Sequence, residues 1–127
     1  MHIKKSIAPI ILATLWIGLS EFVRNQVLFH GLWEKHYTSM GVVFPSKSIN
    51  GAVWMIWSLV FAGCIYFLVN KLSQREVIVI AWTMGFMMMW LVIGNLGVLP
   101  MRLLWFAIPL SVLEVVVAVK ICTRLNK

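Results

Sequence analysis

Charge is scarce in this chain. Of 127 residues, 12% are charged, four are acidic and none of those four is aspartate, while 61% are hydrophobic. That apolar share exceeds what a soluble domain of this size can bury, which excludes a water-soluble fold. Cysteine is nearly missing as well. Cys64 and Cys122 stand in no metal or redox spacing and are read as small apolar residues. There is no nucleophile elbow, no Gly-rich phosphate loop and no His-Glu-x-x-His, so soluble-enzyme chemistry has no foothold. The eleven basic residues are scattered singly and in pairs among apolar runs, and no nucleic-acid stripe can be assembled from them. The start resembles a signal peptide, but its apolar run passes into charged sequence without a small-x-small cleavage site, so it is read as an uncleaved first span.

What remains is long apolar sequence. Four runs, at about residues 7–29, 51–69, 77–98 and 103–122, are each long enough to cross a hydrocarbon core of roughly 30 Å. The expected fold is therefore an all-α integral membrane protein, a single four-helix transmembrane bundle over residues 1–127. Lys4, Lys5, Lys71, Arg75, Lys120, Arg124 and Lys127 would lie on one side, and Lys35, Lys47 and Arg102 on the other. That bias places both termini in the cytoplasm, in a bacterial-type inner membrane. The longest connection, His30 to Asn50, reads as a helical or interfacial continuation, with Trp33, Tyr37 and Phe44 at headgroup level. No internal repeat relates the two halves.

The most informative stretch is Ser20-Glu21-Phe22-Val23-Arg24-Asn25-Gln26, which sets charges and amides inside the first span. At about 100° per residue, Thr14, Gly18, Glu21 and Asn25 share one face with Arg24 beside them. Leu12, Leu15, Leu19, Phe22 and Val23 cover the other. An ionisable group in hydrocarbon costs roughly 2.5–3.5 kcal/mol or more and calls for an interior partner. Glu21 and Arg24, spaced i,i+3, supply one to each other. Counting rise per residue brings Asn95 to the same depth, so Glu21, Arg24, Asn25 and Asn95 are the expected intramembrane polar site, near the outer face.

Secondary candidates are Glu114, His30, Glu34 and His36. The same count puts Glu114 more than about 10 Å below Glu21, out of direct contact, with Tyr66, Thr83 and Ser111 as its neighbours in depth. His30 and Glu34 form an i,i+4 pair, whereas His36 points elsewhere; neither they nor the methionines of the third span predict a metal. No cofactor is expected. Ser58/Ala62, Ala81/Gly85 and Ala107/Ser111 offer small-xxx-small contacts between helices.

These residues favour a small oligomeric membrane permeation or transport protein for an ion or small solute, more than an enzyme. The rivals are an accessory subunit docked on a partner membrane protein and a membrane enzyme acting on a lipid or quinone head group. The expected partners are the lipid bilayer and either further copies or a partner subunit, with no nucleic acid.

Overall fold

The computed structural model describes residues 3–126. α1 (Ile3–Phe22) runs through a π-helical segment (Val23–Leu28) into the short α2 (His30–Ser39). α3 (Ser48–Val69) follows. α4 (Gln74–Trp82), a second π-helical segment (Thr83–Met87) and α5 (Met88–Asn95) succeed one another without a break, and a 3-10 turn (Met101–Leu103) leads into α6 (Leu104–Leu125). Among the described residues there is no strand. Four helical stretches, Lys5–Leu28, Ser48–Val69, Gln74–Asn95 and Met101–Leu125, are long and apolar enough to cross a membrane.

The helix ends differ from expectation for identifiable reasons. The third span starts at Gln74 rather than near 77 because Ser73 caps it. Ser73 Oγ accepts from Glu76 N at 3.4 Å, while Glu76 Oε2 accepts from Ser73 N at 2.8 Å, a reciprocal box that satisfies two free N–H groups. The same span stops at Asn95 rather than 98. Gly97 turns left-handed at φ 73°, and the N–H groups of Gly97 and Val98 bond back to the carbonyls of Gly94 and Ile93, the usual glycine termination of a helix. The first helix begins at Ile3, so Pro9 falls in its second turn, where it is buried.

α6 is central, packing along α1, α4 and α3, and α1 also lies along α3. Small residues permit the close approach: a Cβ on Gly18 would meet Met55 Sδ at 2.6 Å, and one on Gly85 would meet the Phe61 ring at 2.8 Å. Ser58, Ala62, Ala81, Ala107 and Ser111 are all buried, so each expected small-xxx-small pair sits at a helix contact. The outward row of α1 is open, with Leu15 56%, Leu19 60% and Phe22 58% exposed, an apolar belt suited to hydrocarbon.

The two ends of the bundle differ. At the terminal end, where α1 starts and α6 finishes, Ser6 Oγ donates to Tyr66 Oη (3.0 Å), Tyr66 Oη donates to Asn126 Oδ1 (2.8 Å) and Asn126 Nδ2 donates to Asn70 Oδ1 (2.6 Å). This chain ties α1, α3 and the end of α6 together. At the opposite end, α2 folds over the bundle, and Phe29, Trp33, Leu99, Leu103 and Ala107 form a second, smaller core beneath it.

Candidate functional site

The polar face of α1 is buried as its periodicity requires: Thr14, Glu21, Arg24 and Asn25 are each no more than 8% exposed. Arg24 and Asn25 lie within the first π-helical segment, which closes when Phe29 N bonds to Arg24 O, five residues back, at 3.0 Å. Such wide turns collect at functional sites. Arg24 Nη2 donates to Glu21 Oε1 at 2.5 Å, and Asn25 Nδ2 donates both to Glu21 Oε2 and to the Glu21 carbonyl at 3.1 Å. From α2, Trp33 Nε1 donates to Asn25 Oδ1 at 3.0 Å. The expected Glu21–Arg24 pair is thus present, with Asn25 bound to it.

Glu114 belongs to the same cluster. Its Oε1 stands 3.9 Å from Arg24 Nη1, inside ion-pair range and beyond hydrogen-bonding distance. The expectation that Glu114 lies out of reach is therefore wrong. Helical side chains lean toward their own N-terminus, so Glu21 and Arg24 lean toward the terminal end, while Glu114, on the antiparallel α6, leans toward α2. Counting backbone rise alone leaves out both displacements. Of the neighbours expected from depth, Tyr66 bonds instead with Ser6 and Asn126, and Ser111 accepts from Trp82 Nε1. Trp16 Nε1 donates to the Glu114 backbone carbonyl at 2.9 Å. Both carboxyl oxygens of Glu114 are buried without a hydrogen-bond donor among the described residues. On its far side Arg24 lies over the Phe86 ring, 5.3 Å from its centre. Phe86 belongs to the second π-helical segment, so the two irregular turns meet at this contact.

Asn95 does not join. It is exposed at the end of α5, and no side-chain hydrogen bond reaches it among the described residues. His30 and Glu34 approach to 3.6 Å on the open side of α2, the i,i+4 pair read from the sequence. His36 Nε2 donates to the Gly97 carbonyl at 2.6 Å and fastens α2 to the turn after α5. Among the described residues no group of three acidic, histidine or cysteine side chains is placed to hold a metal. Trp33, expected at headgroup level, is buried against Asn25.

Two clefts reach Glu21. One, of about 600 Å³, opens between the first π-helical segment and the start of α3 and is lined by Asn25, Gln26, Lys47, Asn50 and Met55 as well as Glu21. The other, of about 400 Å³, has Glu21 in its wall with Trp33, Tyr37, Phe44, Trp54 and Trp57. Toward the terminal end the cluster rests on Ala13, Ile17, Ala118, Val119 and Cys122, all fully buried. The geometry thus combines a buried carboxyl pair, one guanidinium, and access from the α2 end. Comparison with protein-family models, curated proteins and solved structures finds no match to this chain.

Proposed function

We propose that this chain is a small oligomeric transporter of a bacterial-type inner membrane. It binds an ion or small solute at Glu21 from the outer side and links that event to a proton on the Glu21–Glu114 pair. Both termini are cytoplasmic, as the distribution of lysine and arginine requires, so the α2 end faces outward. One observation carries the reading: two buried carboxyls share a single guanidinium, and one of them, Glu114, has no hydrogen-bond donor among the described residues. A buried charge without a partner is costly. With both carboxyls ionised the cluster is one positive charge short. A proton or a cationic ligand supplies that charge, and exchange between the two couples them.

An accessory subunit that docks through these charges would present them on an outer helix face, whereas here they are enclosed by the chain's own helices. A second reading, an enzyme acting on a lipid or quinone head group, draws support from clefts that lie toward the α2 end. In that case Glu21 would act as acid or base.

The deciding measurement is flux in proteoliposomes carrying a pH gradient and an internal pH dye, challenged with a panel of small cations and solutes. Glu114→Gln should assemble and melt like the wild type, or higher, and lose solute-coupled proton movement, because an amide matches the shape of the acid and carries no exchangeable proton. Equal coupled flux in the wild type and Glu114→Gln, or wild-type flux no greater than in empty liposomes, would overturn the proposal.

A further inference from the structure

We infer that the aromatic cleft beside Glu21 is a site for a quaternary or fully alkylated ammonium group. This deepens the proposal above, since it rests on Glu21 as a ligand-facing group and requires no flux. Five of the residues lining this cleft, Trp33, Tyr37, Phe44, Trp54 and Trp57, are aromatic, and Glu21 is its ionisable carboxyl. Among the described residues no basic side chain lines it: Lys47 faces the other cleft, and Arg24 is turned toward the two carboxyls and Phe86. Anions are therefore disfavoured, and the charge deficit of the cluster points the same way.

The walls decide among cations. A metal ion or primary ammonium gives up strong hydration only for a shell of oxygen or nitrogen acceptors, whereas this wall is mostly ring carbon. An alkylated ammonium is weakly hydrated and is held by ring faces. Contacts among the rings fix their orientation in advance, since Trp33 stacks on Phe44 at 5.9 Å between centres and Tyr37 meets Phe44 edge-on at 5.2 Å. Trp54, from α3, keeps 37% of its surface open. Each Glu21 oxygen already accepts one hydrogen bond, so the carboxyl acts on the ligand through its charge. The volume suits a small head group. His30 packs against Phe44 at the rim, with Glu34 beyond it.

The test is binding to the full chain in a maltoside detergent, read by tryptophan quenching and calorimetry. Tetramethylammonium and choline should bind saturably, while 3,3-dimethylbutan-1-ol, with the shape of choline and no charge, should not. Trp54→Ala should weaken choline about tenfold with an unchanged melt, and Trp54→Phe should recover most of the loss. Equal binding of the neutral analogue, no saturable binding of either cation, or full affinity in Trp54→Ala would overturn the site. Nanodiscs separate the two sources of such a group. Choline binding suppressed in phosphatidylcholine relative to phosphatidylglycerol assigns a lipid head group, and equal binding assigns a free solute. Ammonium binding without coupled flux leaves this inference standing and removes transport; coupled flux of other solutes without ammonium binding does the reverse.

Discussion

The two ends of the bundle interior both hold polar networks, yet only one is left incomplete. At the terminal end, Ser6, Tyr66, Asn126 and Asn70 donate in series, and Asn70 Nδ2 closes the series on the Tyr66 carbonyl at 2.7 Å. These groups are neutral and each finds a counterpart, and nearby Val119 and Cys122 are fully buried. At the α2 end, Trp33, Asn25, Glu21 and Arg24 are joined in the same manner, but Glu114 is left without a donor among the described residues and clefts lead to Glu21. Polarity inside a bundle is therefore a poor marker of activity, since a satisfied network is ordinary cement. An ionisable group in excess of its partners is the stronger sign.

The sharpest way to break this contrast is to remove the shared cation. Arg24→Gln leaves two buried carboxyls facing each other and should cost about 3–5 kcal/mol, read as a lowered melting temperature in detergent. Glu21→Gln should cost less, because Arg24 keeps Glu114 within reach. Equal losses, or strict additivity in the double variant, would show that the two carboxyls do not share the guanidinium. At the sealed end, Tyr66→Phe deletes one acceptor and one donor and should cost about 1–2 kcal/mol. It should also raise labelling of buried Cys122 by a water-soluble maleimide; unchanged labelling would mean that the hydroxyl does not hold that end closed. The smallest effect should come from His36→Ala, which frees α2 from the Gly97 carbonyl at a cost of about 1 kcal/mol or less. Trp33 fluorescence should broaden while flux falls only partly.

Much of the fold was legible because membrane spans are written in length and composition, and the buried face of α1 followed from a period of 3.6. Glu21, Arg24 and Asn25 could be read together for the same reason. Glu114 was singled out, but its contact with Arg24 was missed because depth was counted along backbones, while the two side chains converge from antiparallel helices. Asn95 stands exposed at a helix end, apart from the cluster, because Gly97 ends the third span three residues early, a signal present in the sequence as Gly94-x-x-Gly97. Ser73-x-x-Glu76 likewise marks the start of that span. Trp33 and Phe86 had no such marker, since their contacts with Asn25 and Arg24 arise only once α2 folds over and the third span packs against α1.

The π-helical turn over Val23–Leu28 has a genetic consequence. An α-helix places successive residues about 100° apart, so a wide turn acts as one extra residue spliced into an otherwise regular helix. Loss of a single codon between Val23 and Leu28 would let the segment relax to ordinary α-helix without breaking the reading frame or shortening the span below membrane thickness. Because the wide turn already absorbs that residue, everything downstream keeps its facing, with Trp33 near Asn25 and α2 over the clefts, whereas the same loss in the regular turns of α1 would swing α2 about 100° around the axis. In-frame single-residue deletions at Gln26 or Val27 should thus leave α2 in place, while deletions in the regular turns of α1 should displace it from the proposed site.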